Sequence, residues 1–209
     1  MNEKAQFILK TLKKAYPDAH CELNYKNPLE LLIATILSAQ CTDKRVNIVT
    51  ASLFKKFKTA RDYLKVPQSV IEEEIRTTGF FRNKAKSIQG ACRALVETHH
   101  GKVPQTMEEL VKLPGVGRKT ANVVLGNAYG IPGFPCDTHV IRLSNHLGLV
   151  KTQNAEEVEA KLTKMFPAKE WTQMSHRLIW HGRRCCYARR PDCSACPLQE
   201  VCDFYQKHF

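Results

Sequence analysis

The sequence predicts an all-α fold, and three observations carry the prediction. Apolar residues recur at helical spacing from end to end, capping residues with glycine or proline stops punctuate them, and no convincing alternating run marks a strand. At 209 residues the chain can bury a substantial core, in one large domain or two smaller ones.

The opening MNEKAQFILKTLKKAYPD has two apolar clusters broken by lysines. It lacks the continuous apolar core of a secretory signal and is expected to stay on the mature protein. Asn27-Pro28 caps and starts a core helix with Leu29, Leu32, Ile33, Ile36 and Leu37 at helical spacing and Glu30 at its third position. Asp43 is expected to cap the next helix, through Val46, Val49, Leu53 and Phe57. Asn83 is expected to open another, through Ile88, Cys92, Leu95 and Val96, which Gly101 closes. Thr106 caps a short helix with Glu108 and Glu109 in its first turn and Leu110 and Leu113 on one face, ending at Pro114.

Leu113-Pro114-Gly115-Val116-Gly117 then reads as a tight turn whose two glycines allow positive φ and leave the backbone bare for close approach. Gly117 opens a helix with Ala121, Val123, Val124 and Leu125, and the free N–H groups and positive dipole at its start suit an anion such as a DNA phosphate. Ile131-Pro132-Gly133-Phe134-Pro135 forbids regular structure and reads as a domain crossing. Helices follow from near Asp137 through Val140, Leu143 and Leu147, then through Val158, Leu162 and Met165, then through Leu178 and Ile179.

Composition narrows the function. Lys and Arg number 32 against 20 acidic residues, a formal charge of +12, which points to a polyanionic partner with nucleic acid first, although charge alone does not decide it. The longest apolar stretch, Leu29 to Leu37, is interrupted by Glu30 and Thr35 and falls short of the ~20 residues a membrane span needs, so no membrane association and a cytoplasmic location are expected. No oligomerisation segment stands out, and a monomer is expected. Nine cysteines without an export signal argue for metal ligation over a disulfide framework. Cys186-x6-Cys193-x2-Cys196-x5-Cys202, with Pro191 and Pro197 enforcing loops, gives four thiols that suit either a structural zinc or an iron–sulfur cluster. Cys185 adjoins the first and could compete with it, while Cys21, Cys41, Cys92 and Cys136 read as small buried residues. Arg183, Arg184, Arg189, Arg190 and Lys207 rim this loop, for solvent or for phosphate.

LPGVGRKTANVVL, followed by PCDTHV with Asp137 eighteen residues after Lys119, resembles the helix-hairpin-helix DNA glycosylase superfamily, specifically its endonuclease III branch. ILSAQCTD at 36–43, TGFFRNKAKSI at 78–88 and the terminal cysteines extend the resemblance over nearly the whole chain. It implies two helical domains flanking a DNA-binding cleft. One, 21–132, has six helices and contains the hairpin at 106–128; the other joins both chain ends, 1–20 and 133–209, and carries the cluster loop 186–202. The resemblance selects a 4Fe-4S cluster on Cys186, Cys193, Cys196 and Cys202. It makes Lys119 the nucleophile and Asp137 the essential carboxylate.

Those roles suit the residue types. An amine can attack C1′ of a damaged nucleoside, displace the base and leave an imine that permits β-elimination. Lys119 lies in the first turn of the second hairpin helix, where the dipole and Arg118 favour the neutral amine. Asp137 stands where an N-cap is expected and could also stabilise positive charge developing at C1′. His139 reads as a packed or capping histidine more than a chemical one, beside DNA-facing residues. Leu113, Gly115, Gly117, Arg118 and Thr120 of the hairpin are the expected DNA contacts, with a monovalent cation bridging hairpin carbonyls to phosphate, as the family implies. Extruding a base leaves a gap in the duplex, and Gln40 and Phe80 are the candidates to fill it, although the family often has an aliphatic residue where Phe80 falls.

The implied function is excision of oxidised or ring-saturated pyrimidines from double-stranded DNA and nicking 3′ to the abasic site, in the nucleoid of a prokaryote. A mismatched-adenine glycosylase shares the hairpin, aspartate and cluster, but that branch generally lacks the hairpin lysine and carries a further C-terminal domain. A non-catalytic DNA-binding or redox-sensing module is the other alternative, and base release separates it from both enzymes. Placement on either side of the domain crossing leads to the expectation that Lys119 and Asp137 face one interdomain cleft.

Overall fold

The computed structural model describes residues 2–208, which contain eleven α-helices and no strand. These are α1 (Glu3–Ala15), α2 (Pro28–Leu37), α3 (Asp43–Lys56), α4 (Gln68–Glu74), α5 (Phe81–Thr98), α6 (Met107–Leu110), α7 (Arg118–Ala128), α8 (Thr138–His146), α9 (Ala155–Met165), α10 (Trp171–Arg184) and α11 (Asp203–His208). The all-α expectation holds. No helix among the described residues is long and apolar enough to cross a membrane. The chain divides into two compact units, Glu22–Ile131 and the paired segments Met1–Cys21 and Pro132–Phe209.

In the Glu22–Ile131 unit, α2 is the central helix and is buried from Leu31 through Leu37. Its start is a reciprocal cap: the Asn27 side chain accepts from the Glu30 N–H at 3.0 Å, and the Glu30 carboxylate accepts from the Lys26 N–H at 2.6 Å. α2 packs against α3, α5 and α7. Two starts differ from the sequence reading. Thr42 caps α3 by accepting from the Arg45 N–H, which makes Asp43 the first helical residue, its charge at the positive end of the dipole. α5 begins at Phe81 and not near Asn83, because Gly79 and Phe80 turn the chain in positive φ just ahead of it. Its far end closes as expected, with Gly101 at φ 79° donating its N–H to the Leu95 carbonyl. α6 stops at Leu110, short of Pro114, and Leu110 and Leu113 are both buried.

The unit of the two chain ends is built on Ile8 and Leu12 of α1, Val140 and Leu143 of α8, Val158 and Leu162 of α9, and Met174 and Leu178 of α10. Phe134 is fully buried in the same core. The prolines keep residues 132–136 out of regular structure, yet their backbone is anchored: Gly133 and Pro135 carbonyls accept from Thr172 and Ser175 hydroxyls of α10 at 3.1 and 2.6 Å. α8 lies on α10 where Gly182 provides clearance, since a Cβ there would come within 2.7 Å of His139 Nδ1. A Lys4–Asp203 ion pair ties α1 to α11.

Candidate active site and thiol-rich loop

The hairpin places each of its residues by a separate physical requirement. Leu113 and Val116 are buried and anchor the turn, and the Val116 N–H donates to the Leu113 carbonyl. Gly115 takes φ 76°, and a Cβ on it would lie 2.5 Å from Ser87 Cβ of α5, so both conformation and space demand glycine. Gly90, one turn further along α5, makes the matching accommodation, since its Cβ would meet Pro114 at 2.9 Å. A glycine inside the α5 pattern was the signal for this seat, and the motif alone does not supply it. Gly117 differs from the sequence expectation: its φ is −94°, and nothing lies within 4 Å of where its Cβ would be. Its bareness opens space above the start of α7.

That start has no side-chain cap and no acidic residue in its first turn, and instead carries Arg118 and Lys119, both exposed. A helix start with no side-chain cap and no acidic residue suits an anion. Thr120 is half-buried behind Arg118 and Lys119. Asn122, one turn beyond Lys119, is 3% exposed with its amide nitrogen unpartnered, a feature that sequence pattern did not single out.

Asp137 is the N-cap of α8. Its Oδ1 accepts from the Val140 N–H at 2.9 Å, and the cap leaves Oδ2 unused. The anchored 132–136 segment fixes the backbone immediately before it. His139, in the first turn of α8, is half-buried against Gly182, and burial lowers its pKa, with the nearby Asp137 carboxylate opposing. Gln40 and Phe80 occupy two exposed turns of the Glu22–Ile131 unit, both in left-handed backbone, with φ 51° and 49°. Phe80 is 64% exposed, whereas the Phe81 ring is covered by the Arg82 guanidinium at 5.5 Å.

The C-terminal thiols border a small pocket lined by Cys185, Cys186, Cys193, Cys196 and Cys202 together with His146, His181 and Phe204. Cys185, Cys186, Cys196 and Cys202 each have a polar neighbour, which for Cys185 is the Asp192 carbonyl at 3.4 Å. Cys186 Sγ lies 3.7 Å from His146 Nδ1, Cys202 Sγ lies 3.5 Å from the His146 carbonyl, and Cys196 Sγ lies 3.6 Å from His181 Nε2. Tyr16 OH is 3.0 Å from His181 Nδ1. Burial pushes the Cys186 thiol up to about 11 and the Cys185 thiol up to about 12, so taking up a metal group here displaces protons.

Cys186, Cys193, Cys196 and Cys202 offer four thiols around one space, a donor set that suits an iron–sulfur cluster, and among the described residues His181, Cys185 and Cys196 bring their ligand atoms within 4.8 Å of one another. Arg142 fixes the start of the loop by donating to the Gly182 and Cys186 carbonyls, and Arg184 stacks on Trp180 with its guanidinium carbon 3.5 Å from the ring centre.

Comparison with known proteins decides the family. The HhH-GPD superfamily of base excision DNA repair proteins matches residues 33–168, and the iron-sulfur binding domain of endonuclease III matches residues 186–202. Endonuclease III of Synechocystis sp. is 53% identical across 96% of this chain and 92% of its own length. The chain belongs to the endonuclease III family. Endonuclease III of Bacillus subtilis is 46% identical across 98% of this chain and 94% of its own, and that of Escherichia coli K12 is 42% identical across 96% and 95%. A solved non-covalent endonuclease III–DNA complex shares 48% identity and a TM-score of 0.94 over 99% of this chain and 98% of that one. A trapped endonuclease III–DNA covalent intermediate gives 0.95 at 48% identity over 99% of each chain. A thermostable thymine-DNA glycosylase, at 23% identity and 0.90, shares the fold. This endonuclease III family member is a base-excision DNA glycosylase with an iron–sulfur domain, and its partner is double-stranded DNA.

Proposed function

We propose that this enzyme removes oxidised or ring-saturated pyrimidines from duplex DNA and then nicks the strand 3′ to the abasic site. The observation that carries the reading is Lys119, exposed in the first turn of α7 at the open end of the hairpin. Its neutral amine attacks C1′ as the C1′–N bond to the base breaks and the base leaves with a proton. Loss of a proton from the lysine nitrogen and ring opening give an imine, which acidifies the C2′ proton. Removal of that proton expels the 3′ phosphate and breaks the C3′–O bond. Asp137 supplies the carboxylate that stabilises positive charge at C1′ and relays protons to and from Lys119. Its N-cap bond through Oδ1 supports the assignment by fixing where the carboxylate sits.

Hairpin residues Leu113, Gly115, Gly117, Arg118 and Thr120 hold the phosphate backbone, with a monovalent cation on the hairpin carbonyls, and His139 is a further DNA contact. Gln40 and Phe80 fill the gap left by the extruded nucleotide. Cys186, Cys193, Cys196 and Cys202 hold a 4Fe-4S cluster, supported by the domain match that begins at Cys186 and ends at Cys202, with Cys185 outside the ligand set. The cluster cross-links the loop and keeps Arg183, Arg189, Arg190 and Lys207 in place for phosphate. Acting on chromosomal DNA, such an enzyme works in the cytoplasm at the nucleoid, as a monomer. Product analysis tests the reading: the parent should release the oxidised pyrimidine and nick the strand, and Lys119→Ala should lose nicking by at least about a thousandfold. Release of adenine opposite oxidised guanine in place of pyrimidine release would overturn it in favour of the mismatched-adenine reading.

A further inference from the structure

Four non-glycine residues among those described adopt positive φ, and two of them are Gln40 and Phe80. A long or aromatic side chain in left-handed backbone costs on the order of 1 kcal/mol, and the conformation persists only where the surroundings impose it. One buried side chain bonds to the backbone just ahead of both turns. Lys84, in the first turn of α5, is 5% exposed, and its Nζ donates to the Leu37 and Thr78 carbonyls at 2.8 Å each. Leu37 is the last residue of α2, three positions before Gln40; Thr78 ends a 3-10 turn two positions before Phe80. The Lys84 N–H also donates to the Phe80 carbonyl, so one residue grips the Phe80 turn by backbone and side chain and the Gln40 turn by side chain.

The choice of lysine is informative. A buried ammonium is costly, and no carboxylate pairs with this one among the described residues. An apolar residue would fill the space at less cost but would leave two helix-end carbonyls without this donor and the turns without a link. We infer that Lys84 is a positioning residue that locks the Gln40 and Phe80 turns to each other, so that the two side chains meet the duplex as one preorganised probe. The inference rests on the reading of Gln40 and Phe80 as gap-filling residues and adds the device that sets their spacing. Without the link each turn relaxes separately, and ordering both turns again is charged to the step in which the nucleotide leaves the stack.

The test compares single-turnover nicking of an abasic site in duplex DNA with nicking of the same site in single-stranded DNA, which needs no extrusion. It uses the intact cluster-loaded enzyme and its Lys84→Met, Gln40→Ala and Phe80→Ala variants. Lys84→Met should lower the duplex-to-single-strand rate ratio by about tenfold, the size of a one-to-two kcal/mol effect on extrusion. Gln40→Ala and Phe80→Ala should lower the same ratio. A 2-aminopurine base opposite the abasic site should show a matching loss of the fluorescence change on binding. If Lys84→Met slows both substrates equally, or neither, the inference is overturned while the gap-filling reading stands. If neither Gln40→Ala nor Phe80→Ala changes the ratio, the gap-filling reading fails, and the inference with it. Should Lys84→Met not fold, Lys84→Gln takes its place with the same expectation, and a chain that folds with neither makes Lys84 a folding residue and overturns the inference.

Discussion

Asp137 caps α8, and the chemical task proposed for its carboxylate is separable from the cap. The cap uses Oδ1 and requires only an acceptor, so asparagine serves nearly as well. Asp137→Asn should keep stability to within about 0.5 kcal/mol while lowering the rate of base release by at least about a hundredfold, because the charge facing C1′ is gone. Thermal melts beside single-turnover kinetics check this; a variant with the parent's rate would reduce Asp137 to a cap. At this scale the sequence shows the cap plainly, since an Asp ahead of a helical pattern is a common start signal. It does not show the chemistry: Lys119 is one of 32 basic residues, and its role comes from the motif around it. Lys84 was hidden for the same reason, because nothing in a linear pattern distinguishes a lysine aimed at two carbonyls inside the protein from one in solvent.

The hairpin shows how an element divides work between similar residues. Gly115 and Gly117 read alike in sequence, yet only Gly115 has positive φ and a neighbour in the way. Gly115→Ala should destabilise the enzyme by on the order of 2–3 kcal/mol, visible as a lower denaturation midpoint. Gly117→Ala should cost about 1 kcal/mol or less, since its conformation and space admit a methyl group, but should weaken duplex binding by intruding where phosphate approaches. Equal destabilisation by both would mean that the distinction drawn from φ is wrong. Helix starts differ from the sequence reading by one residue where capping-competent residues adjoin, as at Thr42-Asp43, and by three where a strained turn overrides the obvious asparagine, as at Phe80 ahead of Asn83. α4 escaped sequence reading because it is short and buries a single residue, Ile71, too little for a periodic signal.

On the scale of the whole molecule, Lys119 lies in Glu22–Ile131 and Asp137 in the unit of the two chain ends. The all-α class was legible because periodicity and caps agree along the chain, and the thiol loop because its spacing is distinctive. The approach of His181 and Cys185 to Cys196 was not legible, since spacing in sequence does not fix distance between side chains. The central claim is that Lys119 forms the covalent bond to the sugar. Borohydride reduction during turnover of duplex DNA containing an oxidised pyrimidine, followed by peptide mapping of the trapped adduct, tests it most directly. The deoxyribose remnant is expected on the peptide containing Lys119, with no trapping by Lys119→Ala. An adduct on another lysine or on the terminal amine, or trapping that survives the substitution, would contradict it.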